Sequence, residues 1–94
     1  MKQLTKIFKA LANEHRLAIF DQIRRQELRC RGRFEGVSVC DVASLFNLAL
    51  STVSHHLKEL REARLIVCEK RGQWVYCRVN HEVAKEVMAF FEKT

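Results

Sequence analysis

Apolar residues at Leu4, Ile7, Phe8 and Leu11 fall on one side of a 3.6-residue repeat, so the first stretch of the chain reads as an amphipathic helix. Asn13 is placed to cap a second helix, in which Leu17, Ile19, Phe20 and Ile23 are apolar and Arg24 and Arg25 sit in the last turn, ending near Gln26. Glu27 to Gly36 carries two of the three glycines and no sustained period, and reads as a connecting loop with at most a short strand at its end. Ser38 then caps a short helix over VCDVASLF, where Val39, Val42 and Phe46 share a face and Asn47 offers a left-handed stop. Ser51 precedes TVSHHLKELREA, in which Val53, Leu57 and Leu60 recur at i, i+4 and i+7 while the other faces are polar. Two short helices joined by a tight turn make a helix-turn-helix. In LIVCEKRGQWVYCRV, β-branched and aromatic runs flank Arg71, Gly72 and Gln73, the pattern of a hairpin that would form a wing. Glu82 to Lys93 returns to helical spacing. Its Val83, Ala84, Val87, Met88, Phe90 and Phe91 spread over roughly 160° of arc, wider than one core-facing stripe requires, and the surplus points to an interface. The predicted architecture is mainly α with a β-hairpin wing, α-α-α-α-β-β-α. It is a winged helix-turn-helix in a single domain, residues 1–94, dimerising through its first and last helices.

Composition narrows the functional classes. An apolar content of 48% excludes a disordered tail, and no stretch approaches the ~18 apolar residues of a bilayer helix, so no membrane partner is expected. The opening MKQLTKIFKALANEHR lacks the continuous apolar core of a secretion signal, which favours the cytoplasm and reduced thiols over a disulfide framework for the four cysteines. A chain of 94 residues buries a small fraction of its surface, and pairing into a homodimer is a common remedy. The net charge is +6, but it is uneven: residues 1–35 carry nine basic against four acidic groups, while residues 36–65 carry three of each. Arg24, Arg25, Arg29, Arg31 and Arg33 therefore supply much of the expected attraction for phosphate. No nucleophile, base and orienting-acid set, glycine-rich phosphate loop or paired carboxylates stand out, so an enzyme is the poorest reading.

From Leu11 to Val79 the chain resembles the ArsR/SmtB family of small dimeric transcriptional repressors, which release DNA on binding a metal, a metalloid or another thiol-directed signal. The resemblance rests on ALANEHRLAIF, VCDVASLF, STVSHHLKELREARLI and RGQWVYCRV in that order and spacing. One departure is Arg64, where the family usually has a glycine closing the recognition helix; a non-glycine there must avoid the left-handed conformation or bear ~1 kcal/mol of strain. The first turns of the second helix of such a motif enter the major groove, so Ser51, Thr52, Ser54, His55 and Lys58 are the candidate DNA contacts. The resemblance adds His56, which neighbours the apolar Leu57 and so is placed to pack as well as to touch DNA. Lys70, Arg71 and Gln73 at the hairpin tip are placed to meet a flanking backbone or minor groove. A two-fold dimer would read double-stranded operator DNA with an imperfect inverted repeat.

Cysteine chemistry supplies the candidate signal. Many members of the resembled family carry Cys-x-Cys-Asp before the turn, where thiolates capture arsenite; here the segment is Ser38, Val39, Cys40, Asp41. With one cysteine kept, that helix alone builds no trigonal thiolate site. Cys30, flanked by Arg29 and Arg31, is the candidate replacement, because adjacent positive charge favours the thiolate. Cys30 and Cys40 are thus the candidate ligands for As(III) or another soft metal(loid) as inducer, with no constitutive cofactor. A redox or reactive-sulfur signal on the same fold is the alternative, and a constitutive binding module with inert cysteines is the alternative of another class. Cys68 and Cys77 would face each other if the hairpin turn is centred on Gly72 and Gln73, and would be separated by a turn centred on Arg71 and Gly72; ordinary strand packing is the expected role. Zinc-finger spacing is absent, His55 and His56 diverge as helix neighbours, and His81 has no second histidine after it on the last helix.

Overall fold

The computed structural model describes residues 1–30 and 36–93, with the side chain of Cys30 outside that description. The elements run α1 (Lys2–Leu11), α2 (Glu14–Cys30), β1 (Val37–Ser38), α3 (Val39–Phe46), α4 (Leu50–Glu62), β2 (Ile66–Arg71), β3 (Trp74–Val79) and α5 (His81–Glu92). The winged helix-turn-helix order is as the residue pattern predicts, with one addition. The two-residue β1 pairs with β3, giving an antiparallel sheet of order β1-β3-β2.

Local chemistry sets the helix ends. The Asn13 Oδ1 accepts the backbone N–H of Arg16 at 3.0 Å, and the Arg16 Nε in turn donates to the Ala10 carbonyl at 2.7 Å, so one short turn closes α1 and opens α2. The second helix runs a full turn beyond Gln26, and the loop expected from Glu27 is helical as far as Cys30. No apolar stripe marks this extra turn, since Leu28 is exposed. Good helix formers continue it, and Glu27 pairs with His81 at the start of α5. Ser38 caps α3 as expected, its Oγ accepting the Asp41 N–H at 3.1 Å. The fourth helix starts at Leu50 with Ala49 as N-cap, so Ser51 lies within the first turn instead of before it.

The two helices of the motif stop in the same way. At the end of α3, Asn47 has φ 53° and the Leu48 N–H reaches back to the Ala43 carbonyl at 3.1 Å. At the end of α4, Arg64 has φ 65°, its N–H bonds the Arg61 carbonyl at 2.9 Å, and the Leu65 N–H bonds the Leu60 carbonyl at 3.0 Å. This is the Schellman arrangement, with Leu65 and Leu60 both buried beneath it. Arg64 therefore does adopt the left-handed conformation, and the chain bears the strain that a glycine would remove.

The core lies between α4 and everything around it. Val53, Leu57 and Leu60 of α4 are buried with Ile7 and Ala10 of α1, Ile19 and Ile23 of α2, Val42 of α3 and Ile66 of β2. The Gln3 side-chain amide bonds the Ala63 carbonyl at 3.1 Å and fastens α1 to the end of the same helix. His56 joins this inner face, its ring stacked 5.8 Å from that of His15 on α2 and its Nδ1 buried without a partner. Burial holds the His56 pKa below its ordinary value, and the neighbouring Arg16, His15 and His55 charges push the same way.

Gly36 leads into β1 with φ 118°, and a Cβ there would meet the Tyr76 Cβ at 2.8 Å and the Cys77 carbonyl oxygen at 3.1 Å. Gly36→Ala is expected to cost about 1–3 kcal/mol in chemical denaturation, whereas Arg64→Gly is expected to raise stability by up to about 1 kcal/mol. Since His56 resists protonation when folded, the unfolded chain takes up the extra proton as pH falls through 6.5, and stability drops on the acid side. Urea midpoints measured at about pH 7.5 and about pH 5.5 should show that drop, and it should be smaller in His56→Gln.

Candidate nucleic-acid interface

Because α4 commits Val53, His56, Leu57 and Leu60 to the core, its remaining sides face solvent. Ser51, Thr52, Ser54, His55 and Lys58 are all exposed; the first four lie on the first two turns and Lys58 at the start of the third. Serine and threonine hydroxyls are short and can donate or accept, which suits them to base edges; Lys58 brings a point charge one turn further on. Ala49 provides no side-chain cap, so the first N–H groups of α4 keep their donor capacity and the positive end of the helix dipole lies beside Ser51 and Thr52. Periodicity does not report this last feature, because it depends on the helix starting one residue before Ser51.

His56 is the exception among the expected contacts. At 8% exposure its ring sits inward against His15, away from the face that Ser54 and His55 present. The i, i+4 rule explains the difference, since His56 lies between Val53 and Leu60 on the apolar stripe.

Strands β2 and β3 are joined by Gly72 and Gln73, with Arg71 opposite Trp74. Gly72 has φ 62° and open space around it, the geometry of a II′ turn with glycine at its first central position. Lys70 and Gln73 are exposed at the tip. Arg71 is half-buried, with its guanidinium 5.7 Å from the Tyr76 ring centre and Nη2 3.3 Å from Glu69 Oε2. It is thus steered along the wing by an aromatic face and a carboxylate.

The arginine cluster is only partly available to phosphate. Arg24 and Arg25 bind the two carboxylate oxygens of Asp21 at 2.6 and 2.8 Å, and these arginines hold the Asp21 carboxyl below its usual pKa. Arg29 is exposed, while Arg31 and Arg33 lie outside the described residues.

Among the cysteines, Cys40 is exposed on the first turn of α3. Cys30 ends α2, its side chain outside the described residues, and among the described residues no three metal-ligating side chains come together. The turn centred on Gly72 and Gln73 sets Cys68 directly opposite Cys77, and their sulfurs are 3.0 Å apart. Sequence spacing left two registers open for this pair, and the pairing of Arg71 with Trp74 decides between them.

The first and last helices meet through aromatic rings. Phe8 of α1 lies 6.2 Å from Phe90 and 6.0 Å from Phe91 of α5, measured between ring centres. Phe91 and Met88 remain largely exposed and Phe8 and Phe90 partly so, which leaves apolar surface on both helices.

Comparison with known proteins agrees with this geometry. The helix-turn-helix domain family matches residues 11–69. The chain is 32% identical to the arsenical resistance operon repressor of Bacillus subtilis (strain 168), over 99% of this chain and 86% of that protein. It is 33% identical to the arsenic resistance transcriptional regulator ArsR1 of Pseudomonas putida, over 92% of this chain and 61% of that protein. Among solved structures, it is similar to a crystal structure of an ArsR family transcriptional regulator, with TM-score 0.78 and 26% identity over 98% of this chain and 86% of that one. It is also similar to a homodimeric winged helix-turn-helix DNA-binding domain from Mycobacterium bovis, with TM-score 0.75 and 25% identity over 97% of this chain and 76% of that one. Proteins of this kind are transcriptional regulators, not enzymes, and the present chain belongs with them to the ArsR family of winged helix-turn-helix repressors.

Proposed function

We propose that this protein is a homodimeric repressor that holds operator DNA through the exposed face of α4 and the tip of the wing, and lets go when a thiol-directed inducer binds. The observation that carries the DNA half is the division of α4 into a fully committed inner stripe and an outer face of Ser51, Thr52, Ser54, His55 and Lys58. Lys70, Arg71 and Gln73 extend that face along the hairpin to a flanking phosphate backbone or minor groove. Two copies related by a two-fold axis present two such faces, which fits an imperfect inverted repeat. The apolar surface left by Phe8, Met88, Phe90 and Phe91 supports pairing through α1 and α5, as does the homodimeric state of the Mycobacterium bovis domain.

For the inducer, we infer arsenite or a related soft metal(loid), captured by Cys40 with Cys30. Support comes from the arsenical and cadmium resistance regulators among its relatives and from the exposure of Cys40 at the start of α3, the helix that feeds the turn into α4. A thiolate ligand there would pull on the segment that sets the pose of the recognition helix.

Fluorescence anisotropy of the reduced protein on DNA from upstream of its own gene tests the reading. Tight binding that weakens with salt is expected, and Lys58→Ala and Lys70→Ala should each lower the log–log salt slope by about two, one phosphate contact being lost from each subunit of the dimer. Stoichiometric arsenite should release the DNA from the wild type but not from Cys40→Ser. Binding indifferent to sequence would overturn the operator assignment, and release that survives both Cys40→Ser and Cys30→Ser would overturn the inducer site. In sedimentation, Phe91→Glu should convert the dimer to monomer, because a carboxylate is costly to bury in an apolar interface; an unchanged dimer would place the interface elsewhere.

A further inference from the structure

Opposed thiols are set into the wing at a place where packing alone asks for two small apolar side chains. Cys77, on the central strand of the sheet, has no exposed surface, while Cys68 on β2 is half-buried and reachable from solvent. With the sulfurs 3.0 Å apart, the Cys77 S–H can donate to the Cys68 sulfur. That hydrogen bond, aided by the Arg61 guanidinium on α4, brings the Cys68 thiol down to about 7 against the opposing effect of burial. The same hydrogen bond and burial push the Cys77 thiol far up. One sulfur is thus biased toward the thiolate, and the neighbour in contact with it is held as a neutral thiol. A reachable, acidified cysteine beside a second thiol is the arrangement that reacts with peroxides and then closes a disulfide.

We propose that Cys68 and Cys77 are a redox-active dithiol that a hydroperoxide converts into a disulfide within the wing, and that the oxidised wing holds operator DNA more weakly. The second half rests on the DNA-binding reading above. In the first step the Cys68 thiolate attacks the terminal oxygen of the hydroperoxide; the O–O bond breaks, Cys68 becomes a sulfenic acid, and the leaving alkoxide takes up a proton to become the alcohol. In the second, the Cys77 sulfur attacks the Cys68 sulfur, the S–O bond breaks, and the departing hydroxide leaves as water with the proton that Cys77 gives up. Two thiols are oxidised by two electrons in all, and the hydroperoxide is reduced to one alcohol and one water.

Strand geometry allows the bond and carries its effect outward. Counting from the Arg71–Trp74 pair that closes the two-residue turn, alternation makes Cys68–Cys77 a non-hydrogen-bonded pair. Such pairs have Cα atoms about 4.5 Å apart, within the span of a disulfide. The bond needs Cβ atoms about 3.8 Å apart, against about 4.5–5.5 Å for an open pair. Closing it draws β2 and β3 together and increases their twist at a point about 10 Å from the tip that carries Lys70, Arg71 and Gln73. It also removes the negative sulfur beside Arg61, and so reaches the recognition helix.

Trypsin makes the test direct. Cleavage after Arg64, Lys70, Arg71 and Arg78 leaves Cys68 in peptide 65–70 and Cys77 in peptide 72–78, which only the disulfide joins. Reduced full-length protein is treated with stoichiometric hydrogen peroxide, its remaining thiols are alkylated, and the digest is mapped by mass spectrometry beside anisotropy on the operator DNA. The joined peptide is expected to accumulate, to vanish with dithiothreitol, and to form equally in the Cys30→Ser/Cys40→Ser double variant. Oxidation of that variant should weaken DNA binding about tenfold, and Cys68→Ser should abolish the response. Recovery of both peptides alkylated, or of Cys68 as an unlinked sulfinic acid, would overturn the dithiol. A joined peptide with affinity changed by less than about twofold would overturn the switch. If the reduced protein binds no DNA, the operator reading falls and takes the switch with it, while the peptide map still judges the dithiol.

Discussion

Burial of the inner face of α4 is the interaction on which the rest of this protein depends. Val53, Leu57 and Leu60 leave almost no surface to solvent, and α1, α2, α3 and β2 all pack against this helix. Full burial of a valine or leucine side chain is worth about 1.5–3 kcal/mol, so three on one stripe supply much of the margin of so small a domain. The consequence is directional. A helix held from within by neighbours on several sides cannot rotate, and Ser51, Ser54, His55 and Lys58 are fixed outward by the same packing that fixes Leu57 inward. His56 shows the cost of that arrangement, because its ring lies on the stripe with a buried Nδ1 that finds no partner.

The second constraint is the central position of β3. It pairs with β2 to make the wing and with β1 to bind the segment that enters α3. Val37 and Cys68 therefore flank Cys77 from opposite sides, and Gly36 is held so close to Tyr76 that a side chain has no room. The wing is tied through this strand to the start of the helix-turn-helix, where Ser38 caps α3 and Cys40 is exposed. A chemical change at either thiol site acts on a structure that both share.

Charge is arranged less simply than its total suggests. Most of the +6 resides in the first 35 residues, yet Asp21 occupies two of the arginines there with short ion pairs. Such exposed pairs contribute little to stability. Their effect is to moderate the field of α2, while Lys58 on α4 and Lys70 on the wing are exposed.

Periodicity, caps and turn residues determined the order of elements, because each is a local signal. The i, i+4, i+7 stripe of α4, the Asn13 and Ser38 caps and the left-handed Asn47 all read from neighbours along the chain, and so did the breadth of the apolar face on α5. The ArsR-like motifs carried the fold further than any single helix could. What the sequence left undecided depends on contacts between distant residues. The last turn of α2 lacks an apolar stripe and is held partly by Glu27 against His81, 54 positions later in the chain. The strand β1 exists only because β3 is beside it, and the stacking of His56 on His15 joins two helices that no local pattern relates. The facing of Cys68 and Cys77 turned on a one-residue choice of register, since a strand repeats every two residues and a slip by one reverses every side chain. The pairing of six residues on each strand made that choice. Local patterns specify what a segment becomes, and only the packed whole decides which side chains it brings together.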